Sequence, residues 1–523
     1  MQKNSGAIKQ TGFIGSAENF LTLLDIPGDR ILVVGNALTY WQRIFPDTRY
    51  LENFSFFFTK GQTFDLILYH SGTALFRSNL RSDLRILKNL IAPHGKILYF
   101  AENFYSPFIV KNIIKNKDLS GIKRLCRLPP SFHRFLEKAS MPVVKIFDGL
   151  PAYDAPDELV IPGSKFLEIP IHANGLYRMA GRLNQYHLIA NGRIYLISNH
   201  TLENSDIVQA IKRHIQAYLK AISCSCSVER LDIRSRGNLV IFTTEKNSCR
   251  SFISRLVSEP NARKIVRRNH QFLKILHSLP DIPSAVKKKF PEPIGELETV
   301  SNSLFTETII NGQLAWKANQ ESLREKIFDE ASRFIGNLQI STQRSVLIVE
   351  DIIKNLFHDD IESIKKYNNE LSNIMLDFVN QICNILAGSV FYLTISHGDY
   401  GYGNIMVNRY SGNLTGVIDW DTGRIEDFPG IDYLNLLIQK NRSDRGKSIE
   451  ESFIDIFEKI IDTGNLDGKG FYAKNFGIIG KRAKIIFLAC LIRFISRSTQ
   501  YPNIYYSYQK DYITICNYLK KYN

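Results

Sequence analysis

The stretch TISHGDYGYGNIMVNRYSGNLTGVIDWDTGRIEDFPGID, residues 394–432, decides the fold of the C-terminal part of the chain. Within it, two short apolar runs at residues 405–407 and 414–418 predict strands. Ser411-Gly412-Asn413 between them is typical of a hairpin turn. The pattern predicts a loop followed by an antiparallel hairpin, with polar residues gathered at one end of it.

Three polar side chains are expected to meet at that end of the hairpin. Asn404 precedes the first strand, Asp419 ends the second, and Asp399 lies in the preceding loop. Antiparallel pairing would bring Asn404 close to Asp419, with Asp399 nearby. Metal-assisted phosphoryl transfer uses such groups, because a base must orient the attacking hydroxyl and oxygen ligands must hold Mg²⁺ against nucleotide phosphates.

These residues resemble the pattern of a known family, the aminoglycoside phosphotransferase and choline-kinase-like branch of the protein-kinase fold. That pattern is His-Gly-Asp, four residues, Asn, and then a hairpin ending in Ile-Asp-Trp and an acid. The chain has both parts, HGDYGYGN at residues 397–404 and VIDWD at residues 417–421. The resemblance implies an α+β bilobal protein-kinase-like fold for the C-terminal domain, with Asp399 as catalytic base and Asn404 and Asp419 as magnesium ligands.

Three further polar residues accompany this pattern. The resemblance implies that Asp421 is an auxiliary carboxylate and that Asp432 braces the catalytic loop, and His397 of that loop is a further auxiliary candidate. The residues alone leave open a polar hairpin whose acids merely cap turns. Because the whole spaced set is present, we favour the phosphotransferase site.

Residues 226–310 are predicted to form the small lobe that covers the nucleotide. Gly237 and Asn238 lie in a turn whose backbone N–H groups could cover phosphates, although an ordinary hairpin turn explains one glycine equally well. Arg255, in the following strand, matches the family's phosphate-contacting cation. Asn269 stands where relatives have the glutamate that pairs with this cation. A neutral amide offers only a hydrogen bond, so this departure leaves open a reduced nucleotide affinity or rate.

Residues 311–523 are predicted to form the large helical lobe, and residues 151–225 a bridging segment. The predicted late helices carry a set of acids: Asp444, Glu450, Glu451 and Asp455. These acids either bind a cationic acceptor or belong to an ordinary helix surface, and the sequence leaves both interpretations open.

Residues 1–150 alternate between strand and helix patterns, which predicts an α/β domain with a parallel sheet. One helix is expected over residues 80–91, ending at Ala92-Pro93-His94-Gly95. The segments ILVVGN, FDLILYH and LKNLIAPHGKILYF look like parts of a class I methyltransferase domain, which implies a Rossmann-like fold. Its first loop has a single glycine, Gly35, where that fold normally has several. We therefore expect a retained but degenerate domain that does not use S-adenosylmethionine.

The composition of the chain limits which ligands, nucleic acids and membranes it is expected to bind. The formal net charge of +15 favours phosphate-rich ligands, but the basic residues are scattered and form no recognisable nucleic-acid motif. The seven cysteines have no paired metal spacing, and the N-terminus lacks the apolar core of a signal peptide. The apolar run at residues 485–492 is too short to cross a bilayer. We expect a cytoplasmic protein without membrane insertion, and contact with a membrane surface stays open.

The sequence as a whole predicts an ATP- and Mg²⁺-dependent phosphotransferase that moves the γ-phosphate to a hydroxyl of a small molecule. Two alternatives stay open. Asn269 is consistent with a catalytically impaired, kinase-like binding or assembly protein. The N-terminal segments are consistent with a bifunctional methyltransferase-kinase.

Overall fold

The structure is a computed structural model, and it describes residues 23, 30–34, 49–51, 63–70, 86–102, 143–150, 158–160, 192–197, 205–221, 223–234, 238–318 and 321–522. The chain forms two compact units. The first is drawn from residues 1–266 and 293–309, and the second from residues 267–292 and 310–523.

The described strands of the first unit form one 12-stranded sheet. They are β1 Ile31–Val34, β2 Arg49–Leu51, β3 Phe64–His70, β4 Ile91–Glu102, β5 Val143–Leu150, β6 Glu158–Val160, β7 Gly192–Ile197, β8 Cys226–Arg234, β9 Asn238–Glu245, β10 Ser251–Val257, β11 Pro293–Glu298 and β12 Ser303–Thr308. Their order across the sheet is β11-β12-β10-β9-β8-β6-β5-β7-β4-β3-β1-β2.

The N-terminal end of this sheet is parallel. β1 pairs in parallel with β2 and β3, and β3 pairs in parallel with β4. β7 then runs antiparallel to both β4 and β5. Most of the described side chains of β1, β3 and β4 are buried, as in parallel strands that are covered on both faces. Gly35 lies outside the described residues, and the methyltransferase resemblance stays a prediction.

The predicted end of the helix, at Ala92-Pro93-His94-Gly95, is wrong, because these residues belong to β4. Helix is described over residues 86–90, and β4 begins at Ile91, so Pro93 lies inside the strand. The register slips here, from Phe64 opposite Ile91 to Leu66 opposite Lys96. Proline fits such an irregularity because no ladder hydrogen bond is required of its nitrogen.

The other end of the sheet is antiparallel and belongs to the predicted small lobe. β8, β9, β10, β12 and β11 follow one another as antiparallel neighbours. β6 pairs with β8, which joins these strands to the N-terminal ones in one sheet. Helix α1, Asp206–Leu219, begins at Ser205, whose hydroxyl accepts from the Val208 N–H. Its apolar face packs in the same core as strand residues such as Val228 and Ile241.

The second unit contains most of the described helices and two three-stranded sheets, β13-β16-β17 and β14-β15-β18. Helix α2, Pro260–Ser278, contributes residues to each unit. The remaining elements are α3 Ser284–Lys287, β13 Gln313–Leu314, a 3₁₀ turn Ala315–Lys317, α4 Glu321–Thr342, β14 Arg344–Leu347, α5 Glu350–Lys365, α6 Asn369–Leu386, β15 Val390–Ser396, β16 Ile405–Val407, β17 Leu414–Val417, β18 Arg424–Asp427, α7 Ile431–Arg445, α8 Ile449–Thr463, α9 Phe471–Phe476, α10 Lys481–Thr499 and α11 Pro502–Lys520.

The core of this unit is built around α10. The apolar run at residues 485–492 is buried along its whole length. The apolar face of α6 packs in the same core through residues such as Met375 and Phe378.

In the part of the chain that the structure describes, no helix is long and apolar enough to cross a membrane.

Candidate active site

Asp399 and Asn404 are in direct contact in the loop before β16. The Asn404 Nδ2 donates to the Asp399 backbone oxygen at 2.9 Å and to its Oδ2 at 3.1 Å. Both acceptors lack a hydrogen to give, so the amide orientation is determined: its NH₂ faces Asp399 and its Oδ1 faces away. The amide oxygen is thus the atom of Asn404 that is suited to a cation.

The β16–β17 hairpin brings Asp419 to the same place. Ile405 pairs with Val417, and the Ile418 N–H donates to the Asn404 carbonyl at 2.9 Å. Asp419 follows directly, is exposed, and has a φ of +60°. Aspartate tolerates this left-handed conformation better than most residues, yet it remains a strained one, and strain of this kind clusters at functional sites.

Trp420 fixes the backbone on the other side of Asp419. Its ring is fully buried between Phe272 and His397, with ring centroids 5.9 and 4.4 Å away. Its backbone N–H donates to Asn269 Oδ1 at 2.7 Å. The Asn269 amide therefore holds the residue next to Asp419, a contact that the family resemblance does not suggest. Asp421 is half-buried in the turn that follows.

His397 links the segments that carry Asp399 and Asp419. Its Nδ1 accepts from the Asp399 N–H at 3.2 Å, and its Nε2 lies 2.9 Å from the Ile418 carbonyl oxygen. These partners require the tautomer with hydrogen on Nε2. Burial lowers the pKa of His397, so the ring is neutral at pH 7. It serves as a spacer between two backbone segments.

Asp432, in the first turn of α7, accepts hydrogen bonds from the same loop. Its carboxylate accepts from the His397 N–H at 2.7 Å and the Gly398 N–H at 2.9 Å. The side chain is fully buried, and burial raises its pKa to about 7 against the opposing effect of these two donors. These contacts are those expected of a residue that braces the loop.

Arg497 is a neighbour of the site that the sequence analysis missed. Its Nη1 lies 3.1 Å from Asp399 Oδ1 and also donates to the Gly398 carbonyl. The Asp399 side chain is 38% exposed and that of Arg497 is 16% exposed. The Asp399 carboxylate is therefore held on both oxygens, by Asn404 and Arg497. Since Arg497 comes from α10, 99 positions after Gly398, no local pattern points to it.

In the first unit, Arg255 lies on β10 and forms an ion pair with Glu307 of β12, with Nη1 3.1 Å from Oε1. Both side chains are largely buried. Relatives supply a glutamate from the following helix, where this chain has Asn269, and here the carboxylate comes from the neighbouring strand instead. Asn238 begins β9 opposite Val257, whereas Gly237 lies outside the described residues.

The donor set suits magnesium. In the ranges described, no cluster of three or more histidine, cysteine, aspartate or glutamate side chains could hold a metal. Magnesium does not require one, because it is usually bound by one or two carboxylates together with substrate phosphates and waters. Asp419 and the Asn404 Oδ1, with a nucleotide, fit that description.

Comparison with known proteins bears on the same part of the chain. Residues 233–454 match the family model described as "Phosphotransferase enzyme family". No curated protein matches the chain.

The solved structures that match this chain have low sequence identity to it and low TM-scores. An aminoglycoside phosphotransferase from Streptomyces rimosus is 13% identical, covers 55% of this chain and 98% of its own, and has a TM-score of 0.32. An ethanolamine kinase from Plasmodium vivax is 11% identical, covers 60% of this chain and 89% of its own, and has a TM-score of 0.37. A co-crystal structure of WbdD with a kinase inhibitor is 11% identical, covers 95% of this chain and 88% of its own, and has a TM-score of 0.28. At these TM-scores, the likenesses give no further information about this chain.

The resemblance predicted from HGDYGYGN and VIDWD is therefore confirmed by the family match, and residues 233–454 carry the sequence pattern of the phosphotransferase enzyme family.

Proposed function

We propose that the chain is a phosphotransferase that moves the γ-phosphate of ATP to a hydroxyl of a small molecule, with Mg²⁺ as cofactor. The observation that carries the proposal is the hydrogen bonding around Asn404. Its side chain donates to Asp399, and its backbone oxygen accepts from Ile418, the residue before Asp419. Positioning and charge neutralisation supply most of the catalysis in this chemistry, because the transferred group needs little covalent help.

In the proposed reaction, Asp399 accepts the proton of the acceptor hydroxyl. A bond forms between the acceptor oxygen and the γ-phosphorus while the bond from that phosphorus to the bridging oxygen breaks, and ADP leaves with the electron pair. Asn404 and Asp419 would hold Mg²⁺, which neutralises charge on the phosphate oxygens when bound. Arg497 and Asn404 each hold one carboxylate oxygen of Asp399, which fixes its rotamer and leaves further lone pairs for the acceptor.

The contacts of Arg255 support an active enzyme over the impaired alternative. That alternative rests on Asn269, which lacks the charge to pair with the phosphate-contacting cation. Glu307 provides a carboxylate to Arg255, and Asn269 has a separate contact with the Trp420 N–H. A positioned Arg255 can neutralise nucleotide phosphates because a guanidinium keeps its charge at every physiological pH.

Titration of the full-length protein with ATP, with and without Mg²⁺, tests this proposal. The wild-type protein should bind ATP more tightly with Mg²⁺, and Asp419→Ala should abolish the difference. Asp377→Ala, which removes an exposed carboxylate of α6, is the matched control and should retain it. Magnesium-dependent ATP affinity that is unchanged in Asp419→Ala would contradict the assignment of this residue.

A further inference from the structure

One face of helix α7 lies along the catalytic loop. Asn435 Nδ2 lies 3.5 Å from the Gly398 carbonyl, and one turn later Gln439 Oε1 accepts from the Tyr402 N–H at 2.8 Å. Arg442 is the next residue of this face, because positions seven residues apart on a helix lie on the same side. The helix thus leads from the loop that carries Asp399 to a half-buried arginine.

From Arg442, contacts lead back to Asp399 through two other helices. The Arg442 Nη2 lies 3.4 Å from the Tyr508 hydroxyl of α11, and its guanidinium lies 5.7 Å from the centre of that ring. Tyr508 contacts Tyr512, which contacts Phe494 of α10, with ring centroids 6.5 and 6.4 Å apart. The Arg497 guanidinium lies 5.0 Å from the Phe494 ring and reaches Asp399. We call Arg442, Tyr508, Tyr512 and Arg497 the basic wall.

The two arginines of the basic wall have hydrogen-bond donors that their contacts within the described residues leave unused. Among the residues that the structure describes, no carboxylate forms an ion pair with Arg442, whose contacts are with Tyr508. Arg497 uses Nη1 for both Asp399 and Gly398. Its Nε and Nη2 make no hydrogen bond within the described ranges. A half-buried guanidinium without a counter-ion is costly unless a ligand supplies the anion.

The late-helix acids are mostly committed elsewhere, which weakens their interpretation as a site for a cationic acceptor. Asp444 pairs with Arg324 at 3.3 Å, and Asp455 pairs with Lys447. Glu451 accepts from the Ser448 N–H in the capping box that begins α8. These side chains have structural partners within the fold.

We propose that the basic wall, through its two cations Arg442 and Arg497, binds an acceptor that carries a phosphate or a carboxylate, while a hydroxyl of the same molecule meets Asp399. This inference rests on the proposed function and narrows its substrate class. Guanidinium groups match both anions with paired hydrogen bonds, and tyrosine hydroxyls can add a further donor. The net charge of +15 would raise the local concentration of such acceptors.

Calorimetric titration of the full-length protein, saturated with ADP and Mg²⁺ to occupy the nucleotide site, tests the proposal. The probes are glucose 6-phosphate, glucose and glucosamine, which share a hydroxyl-bearing ring and differ in charge. Glucose 6-phosphate should bind at least about tenfold more tightly than the other two. Arg442→Met and Arg497→Met should each remove this preference. Arg445→Met, an exposed cation of the same helix, should keep it.

Equal affinity for the three probes, no binding of glucose 6-phosphate, or a preference that persists in Arg442→Met would each overturn the proposal. The ADP affinity measured on the same samples separates this outcome from failure of the proposed function. If the wild-type protein binds no ADP, the proposed function fails instead. The three probes titrated without nucleotide then still test the two arginines.

Discussion

Removal of Asp360 should unfold the second unit more easily than removal of any exposed carboxylate. Asp360 is 3% exposed, accepts from Arg424 Nη2 at 3.0 and 3.1 Å, and pairs with Arg493. Arg493 also pairs with Asp427 at 3.0 Å. The charges of the two arginines and the two aspartates cancel. Asp360→Ala therefore leaves one buried positive charge without a negative partner. Breaking a buried pair in this way costs about 3–5 kcal/mol.

Urea unfolding followed by tryptophan fluorescence measures this cost, since Trp316 and Trp420 belong to the same unit as Asp360. The matched control is Glu350→Ala, which removes an ion pair with Lys354 whose side chains are 57% and 52% exposed. The control should lose less than about 1 kcal/mol. A loss below about 1 kcal/mol in Asp360→Ala as well would refute the reasoning, because it would mean that the guanidinium groups reach water or another partner.

Three further predictions concern single residues of the site. Asp419→Gly should be more stable than Asp419→Ala by about 1–2 kcal/mol in thermal unfolding, because only glycine adopts a φ of +60° without strain; equal stability would contradict this. Glu307→Ala should weaken ADP binding about tenfold in calorimetry, because Arg255 loses the carboxylate that holds it; unchanged affinity would show that Arg255 needs no such partner. The folded pKa of Asp432 is about 7, against about 4 in an unfolded chain. Between these values the folded state holds a proton that the unfolded state has lost, so stability should fall as pH rises from about 4 to about 7, and Asp432→Asn should lack this slope in pH-dependent unfolding.

The local sequence pattern was enough to predict the hairpin and the residues of the site that lie close together in the sequence. The turn at Ser411-Gly412-Asn413 leads into the pair Val407–Leu414. A register shift follows, and the pair Ile405–Val417 beyond it places the Asn404 carbonyl against the Ile418 N–H beside Asp419. The two backbone donors of Asp432 could be expected only from the family resemblance, because nothing in the spacing of residues specifies them.

Contacts between distant elements were not predictable in this way. The pairing of Arg255 with Glu307 depends on the register between β10 and β12, which a separation of about fifty residues does not fix. Arg497 reaches Asp399 through the packing of α10, an element that the sequence marks only by its apolar run at residues 485–492. The pairing of β6 with β8, which joins the sheet, has no sequence signal at all.

The most direct measurement is Mg²⁺-dependent ATP turnover by the full-length protein with a panel of hydroxyl-bearing acceptors, beside Asp399→Asn. This variant keeps the size of the side chain and an oxygen for Arg497, but it cannot accept the acceptor proton. The account predicts acceptor-stimulated turnover that requires Mg²⁺ and falls by at least about a hundredfold in Asp399→Asn. Acceptor-stimulated turnover that is equal in both proteins would contradict the central claim that Asp399 is the catalytic base.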